Sequence, residues 1–567
     1  MKFFLSLLLV GLLSYGLQAQ NCDCDHILDN LSTTDVNIIH ANSFDYAPGD
    51  VFCVRGGQMA GLRFLGFKGA PGEPLTFTNC EGAVVINETP HAGITFIESE
   101  YIHLTGTGDS NVQYGFHVAQ SGAGQVGLNV TAFSTDIEID HVEIENTGFA
   151  GIMAKTDPRC ENPATWRSSG FVLRNLDIHH NHIHHTTGEG IYIGYSGGYK
   201  VESNVSCGGQ KRFGHWLENV EVHHNLIENV GWDGIQLNLV RSNGKVHNNT
   251  VLNWATASEF YQDFVLNVTG GTYEVYNNYM RSSGGNAGKG IQVISAQSGS
   301  KFYNNMLINP ASHGMFIHAR HEFDDPAEGY YIVNNTIIRP GRSGFFYDAQ
   351  IMHSLDQNLV GFRQNEASMY FVNNLVVSPG SNYGVDPTWK LEPESYFDFN
   401  TPDTRDAHLP TIYSNFTTRR IDTLGLENPA QDRYAPANSN SVLVDRGSSA
   451  LPFNLNFDLE NDSRAVNGAY DIGAYEFQGI STSSSSAPEQ VTFSVFPNPV
   501  PTNNPIFLEL PADETEVRII SANGQVQYQG LHNGGQQHLP IDRLVAGVYW
   551  VQVRRGDETG VQLLIVQ

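Results

Sequence analysis

One short phrase keeps returning along this chain: IHHN, VHHN, VHNN, VYNN, FYNN, IVNN, FVNN. Its last Asn falls at Asn181, Asn225, Asn249, Asn278, Asn305, Asn335 and Asn374. Each phrase alternates apolar and polar residues, which is the period of a strand rather than a helix. Most phrases are followed by a second short strand that opens with Gly and an apolar residue: Gly190-Ile191, Gly234-Ile235, Gly290-Ile291, Gly314-Met315 and Gly344-Phe345. A repeating unit of strand and turn, with no helical stripe, predicts the coil of a parallel β-solenoid. Equivalent residues of successive coils then stack at roughly 4.8 Å. An inward Asn at each bend can bond its own turn and the Asn above and below it, and it tolerates the left-handed conformation. The Asn column is therefore scaffold. The stretch "IEIDHVEIENTGFAGIMAK" places Asp140 at the Asn181 position of the preceding coil.

The 567 residues exceed one ordinary core. Lys2 followed by the apolar run Phe3 to Leu13 and Leu17-Gln18-Ala19 reads as a secretory signal peptide over residues 1–19. A solenoid with an N-terminal cap is expected over 20–380, starting in earnest near Phe64. A C-terminal cap over 381–478 should close with a strand in "NGAYDIGAYEF". A Ser-rich linker follows over 479–490, and a small module of about seven short strands, read as a β-sandwich, fills 491–567. The linker lacks an apolar anchor and should be the first site of proteolysis. Thus the fold class is all-β: a right-handed parallel β-helix followed by a small C-terminal β-sandwich. Export puts the six Cys in an oxidising compartment. Cys160 and Cys207 leave equivalent strands of adjacent coils and should form one disulfide; Cys53 with Cys80 is the second expected pair. With 59 Asp+Glu against 31 Lys+Arg and a net charge of -28, the chain suits no nucleic acid. No transmembrane segment is expected, and the protein should be a monomer.

The last module resembles the C-terminal sorting domain of the type IX secretion system of Bacteroidetes. The matching residues are Phe496-Pro497-Asn498-Pro499, "VRIISANGQVQYQG" and "LVAGVYWVQVRRGDETGVQLLIVQ". Gln562 departs from the Lys or Arg frequent in that last strand. The resemblance implies the type IX machinery as partner and a secreted or cell-surface destination. The repeat from Phe64 to Gly380 resembles the pectin-lyase-like superfamily, which implies carbohydrate but fixes no reaction. The polygalacturonase, calcium-dependent pectate lyase and chondroitinase B-type signatures are missing; of the last, "GEGIYIGYSGG" keeps only Glu189. No cofactor follows from the residues, and calcium is allowed for without being derivable.

The residues do locate a face. With Ile191 and Ile193 inward, Tyr192 and Gly194 point outward. One outward column should hold Met153, Tyr192, Gln236, Gln292, Phe316 and Phe346; a second holds Lys155, Gly194, Asn238, Ile294, His318 and Asp348. Rings and amides along a groove suit sugars, and a solvated flat sheet is the plainer reading. Loops after this strand carry Lys155, Lys200, Arg212, His215, Trp216, His318 and Arg320, which could neutralise a uronate and supply a base for β-elimination. Glu189 and Asp233, before neighbouring Gly-Ile strands, are a candidate carboxyl pair for a retaining glycosidase; with Lys289 and His313 next in the column, they equally make a self-neutralising ladder. The candidate catalytic residues are thus Lys155, Glu189, Asp233, His318 and Arg320. The candidate substrate-binding residues are Tyr192, Gln236, Asn238, Gln292, Phe316, Arg212 and Trp216. "HHNHIHH" (His179 to His185) reads as a surface His ladder, with no metal expected. The function expected is action on, or binding of, a polysaccharide, as a lyase or glycoside hydrolase. The rival is a non-catalytic adhesin or carbohydrate-binding surface protein.

Overall fold

Alternation in each repeat buries every second side chain. In the strand Val172–His179, Leu176 and Ile178 are buried while Asp177 and His179 are partly exposed. Stacking coils then align like with like. Ile178 pairs with Val222, Val222 with Val246 and Val246 with Val275. Ile183 pairs with Ile227 and that with Val251. On the third side Ile191 pairs with Ile235 and that with Leu266. Three apolar stacks therefore converge on one axial core, and the pairings between coils are parallel throughout.

The computed structural model describes residues 22–479 and 493–566, apart from 89, 197–204, 285–287, 295–298, 319–329, 343, 349, 353–361, 365–368, 379–396, 400–410, 452, 465, 467, 497–499, 501–504, 511–514, 522–525, 534, 540–543, 546, 556 and 557. The chain divides into two units, Met1–Gly479 and Ile480–Gln567. The first is a parallel β-helix built from a 23-stranded and a 12-stranded sheet. Each coil gives two strands to the longer sheet, such as Val172–His179 and His182–His184, and one to the shorter, such as Ile191–Ile193. The second unit packs a three-stranded and a four-stranded antiparallel sheet around Val495, Leu508, Val517, Ile519, Val551 and Leu564, a small β-sandwich. The Ser-rich linker lies outside the described residues.

The Asn column forms a continuous ladder. Asn181 Nδ2 donates to Asn225 Oδ1 at 3.0 Å, and the contact repeats at 2.9–3.0 Å through Asn249, Asn278, Asn305, Asn335, Asn374 and Asn415. Each Oδ1 also accepts the backbone N–H of the preceding coil's Asn, as Asn225 does from Asn181. The left-handed residue of the bend is the one before the ladder, not the ladder Asn itself: His180, His224, Asn248, Asn277, Asn304, Asn334 and Asn373 have φ of 52–57°.

Several expectations are corrected. Asp140 pairs with His179, two positions before the ladder, so it does not stand where Asn181 stands. The strand His26–Leu28 already pairs with Val51–Met59, so coils begin well before Phe64. Thr411–Tyr413 and Phe416–Thr418 add a further coil beyond residue 380. The stretch around Asp471–Phe477 is no strand; it lies irregularly on the outside of the bends, where Asn334 Nδ2 donates to the carbonyls of Asp471 and Gly473. Cys160 is joined to Cys207 with Cα atoms 5.3 Å apart. Cys53 does not pair with Cys80. In register Cys53 meets Thr78 and Cys80 meets Arg55, so the two thiols are offset along neighbouring strands. Cys53 instead takes Cys24, and Cys80 takes Cys22.

Candidate functional site

The shorter sheet carries the expected column with one insertion. Met153, Tyr192, Gln236, Asn267, Gln292 and Phe316 are successive register partners. Asn267 was missed because its strand, Phe264–Thr269, lacks the Gly-Ile opening. The insertion also changes the carboxyl column: Phe264 stands between Asp233 and Lys289, which breaks the alternating acid–base ladder.

This face is covered rather than solvated. Tyr192, Gln236, Asn267 and Gln292 are 7, 4, 5 and 9% exposed. Phe149 packs edge-on against Tyr192 and Trp232. Asn238 is wholly buried and serves the scaffold: its Nδ2 donates to the Ile193 carbonyl at 2.9 Å and its Oδ1 accepts the Thr269 hydroxyl at 2.6 Å. It has no free group for a substrate. Phe316 packs on Phe264 and His313.

The two candidate carboxyls are also closed off, at 1% exposure for Glu189 and 0% for Asp233. Burial pushes Glu189 up to about 7, against a smaller opposing pull from its own backbone and from Lys155. Burial likewise holds Asp233 well above its usual range, although its Oδ1 accepts the Phe264 N–H at 2.7 Å and its Oδ2 accepts Asn267 Nδ2 at 3.1 Å. Among the described residues Glu189 Oε2, Gln236 Oε1 and Asn267 Oδ1 meet no donor.

Lys155 is the charged group that remains at the edge of this face. Its Nζ lies 4.2 Å from the centre of the Tyr192 ring and 3.1 Å from Asp157 Oδ2. Burial alone would lower its pKa, and Tyr192 and Asp157 reverse that. Beside it lies a small cavity of about 10 Å³, room for about one water, lined by Lys155, Thr156, Phe171, Leu173, Gly194, Tyr195, His215 and Leu217. His215 is 4% exposed, and neither ring nitrogen meets a partner in hydrogen-bond geometry. Burial holds its pKa down to about 4; the Phe171 backbone opposes this, and the Arg167 charge adds to it. The imidazole is therefore neutral at pH 7. The alternation rule could not find this cavity, because Tyr195 and His215 sit on irregular loop that leaves the strands.

Those loops are locked together. The disulfide Cys160–Cys207 joins them, Arg212 lies 4.2 Å from the Trp166 ring, and Arg167 lies 3.8 Å from the Trp216 ring. Arg212 and Trp216 thus hold loop to loop. His318 ends the strand Met315–His318 in register with Ile294 and Asp348, and its side chain lies outside the described part, as does the whole of Arg320 and Lys200.

Two family models match. Residues 126–307 match the right handed beta helix region, and residues 494–567 match the secretion system C-terminal sorting domain. The central coils are thus a right-handed β-helix, and the last module matches a sorting domain from end to end. Such a domain marks a protein for secretion or the cell surface. No helix of the described residues is long and apolar enough to cross a membrane. Similar solved structures include the pectate lyase Pel9A, at 12% identity over 79% of this chain and 97% of that one, TM-score 0.38. An alginate lyase from Paenibacillus sp. str. FPU-7 is 12% identical over 68% of this chain and 99% of its own, TM-score 0.35. The catalytic domain of a GH87 alpha-1,3-glucanase is 13% identical over 65% and 63%, TM-score 0.20. Likeness at this level identifies no reaction. The comparison with curated proteins found no match.

Proposed function

We propose that this protein acts on an acidic polysaccharide, holding a uronate residue against Lys155 over the mouth of this small cavity and cleaving the chain by β-elimination. The observation that carries this reading is a buried imidazole, His215, lining one small cavity with the Lys155 ammonium and the Tyr195 phenol. Lys155 would neutralise the uronate carboxylate. A carboxylate arriving next to His215 also raises the basicity of its ring. The imidazole then accepts the proton from the carbon beside the carboxylate. The bond from the neighbouring carbon to the glycosidic oxygen breaks, a carbon–carbon double bond forms, and Tyr195 returns a proton to the leaving oxygen. Glu189 and Asp233, closed to solvent, have no contact with substrate in this scheme.

A second reading, an adhesin or carbohydrate-binding surface protein, is favoured by the closure of the Tyr192 column. One experiment separates them. The full-length protein is incubated with a panel of uronate and neutral polysaccharides, followed by ultraviolet absorbance for unsaturated ends and by a reducing-end assay. Elimination gives both signals from a uronate polymer, and His215→Ala and Lys155→Ala each lower turnover by 100-fold or more, about the contribution of one positioned acid or base. Retention without either signal makes the protein a binder. Reducing ends alone, or wild-type turnover in His215→Ala, overturns the lyase reading.

A further inference from the structure

The run His179 to His185, read from sequence as a surface ladder, does stack: His179 on His223, His223 on His247, and His180 on His224. The second half of that run does something else. His182 and His184 stand two residues apart on one strand, so both project from the same outer face of the longer sheet. On the neighbouring coil Glu143 is the register partner of His182. Both imidazoles converge on one of its oxygens: Glu143 Oε1 lies 3.7 Å from His182 Nδ1 and 3.2 Å from His184 Nε2. The three residues offer ligand atoms all within 4.8 Å of one another. Donors around a tetrahedral ion at ~2.0–2.1 Å stand about 3.3 Å apart, so little movement is needed to seat one.

The nitrogens turned away from Glu143 are also provided for. His182 Nε2 lies 2.9 Å from Glu228 Oε2, on the coil on the other side. His184 Nδ1 lies 2.8 Å from His185 Nδ1 and 3.9 Å from Glu145 Oε2. A metal-bound imidazole donates its other N–H to a carboxylate or a similar acceptor, which fixes the ring and strengthens it as a ligand. The carboxylate form of that arrangement is built here for His182, and the His185 imidazole takes the place of the acceptor for His184.

We propose that Glu143, His182 and His184 form a binding site for a divalent metal ion of zinc-like preference, with His182 oriented from behind by Glu228 and His184 by His185. Two imidazoles and one carboxylate suit zinc and its neighbours, and they suit calcium poorly, since calcium asks for six to eight oxygens. The three donors leave at least one position for water. The ion would also clasp the coil of Val142–Glu145 to that of His182–His184, and so raise the thermal midpoint of the β-helix.

The test is calorimetric titration of the full-length, chelator-treated protein with zinc chloride near pH 7.5, with calcium chloride as the comparison. Zinc binds with one equivalent that is lost in His182→Ala and in His184→Ala, and the midpoint of thermal unfolding rises with zinc in the wild type but not in those two variants. Glu228→Gln keeps the site but weakens zinc 10- to 100-fold, as expected for a ligand-orienting carboxylate. His182→Asn keeps a polar group of similar reach, and circular dichroism of each variant confirms that the fold is intact. Three outcomes overturn the proposal: no zinc heat in the wild type, an unchanged titration in both His variants, or loss of zinc only in His179→Ala or His223→Ala. The last would place the ion at the set formed by Asp177, His179 and His223.

Discussion

The left-handed bend is occupied in two ways along one column, and the two halves have different fates. In the earlier coils the bend residue is His180 or His224, and the rings stack on one another at the surface. Asn248 follows, with its Oδ1 beside His247 Nδ1, and in the later coils the bend residue is Asn277, Asn304, Asn334 or Asn373, with nearly the same φ. There the side-chain amide donates outward to the segment that returns over it: Asn277 to Asp458 O, Asn304 to Phe457 O, Asn334 to Asp471 O and Asn373 to Ser448 O. Backbone geometry is therefore not what separates the halves. The His coils face solvent, where a ring can stack and titrate. The Asn coils lie under a covering segment whose carbonyls need donors, and a buried carbonyl without a donor is costly.

Arg464 offers the hardest test of the covered half. It is fully buried, with Nη1 3.2 Å from Glu476 Oε2 and Nη2 donating to Asn304 Oδ1 at 2.8 Å and to Gly473 O at 2.9 Å. Arg464→Ala leaves the buried Glu476, Asp458 and Asp471 without their cation and is expected to destabilise the covering segment by about 3–5 kcal/mol. Hydrogen exchange over residues 440–479 should rise sharply while the early coils keep their protection; unchanged exchange would break the comparison. Next comes Asn334→Ala, which removes the donor to two buried carbonyls and should cost about 2 kcal/mol in the urea midpoint.

The third test is pH, and it acts on the other half. Burial, and then the neighbouring His179 or His223, hold His180 and His224 down to about 4. A histidine with a lowered folded pKa loses stability on acidification, because the unfolded chain takes up the proton first. The window runs from about 6.5 down to about 4, and since both rings are partly exposed the expected loss is only about 1 kcal/mol each after screening. Asp140, one position away on the preceding coil, also loses stability on acidification but only at lower pH: burial would raise it, and hydrogen bonds from His103, His141 and Thr105 hold it well below its usual range. Its stabilising contribution therefore persists through this window. The double variant His180→Asn, His224→Asn should flatten stability between these pH values; if the slope persists, other groups cause it. The smallest effect is expected for His224→Ala at neutral pH, within about 0.5 kcal/mol of wild type, because the ring stacks at the surface and no covering segment depends on it. A loss as large as that of Asn334→Ala would erase the distinction between the halves.

Part of this was legible in the residues. The period, two of the three apolar stacks and the inward Asn ladder follow from short alternating phrases, since a strand's inside and outside are set by neighbours one and two residues away; the short strand between them, such as His182–His184, was not legible. The outward column with Tyr192 and Gln236 was legible by the same rule. Asn267 escaped because its strand breaks the Gly-Ile pattern. Glu189 and Asp233 were found, but their closure was not, because what lies over a sheet face is set by residues far along the chain. The cavity of Lys155, Tyr195 and His215 depends on how two irregular loops meet, and no period records that.

The sequence by itself determined the solenoid and its coil spacing, because both rest on local alternation and on repeats that stack like on like, and the terminal module was legible through its resemblance to a known sorting domain. Even the change from His to Asn at the bend stands in the printed phrases. Its meaning does not: Asn277 finds its carbonyl 181 residues away at Asp458. Separations of 58 and 29 residues likewise hid the exchange of partners that gives Cys22–Cys80 and Cys24–Cys53. It also hid the convergence of His182 and His184 on Glu143. Those were decided by tertiary structure, because register and covering contacts depend on which coil, loop or return segment comes to lie alongside, and local preference does not carry that information.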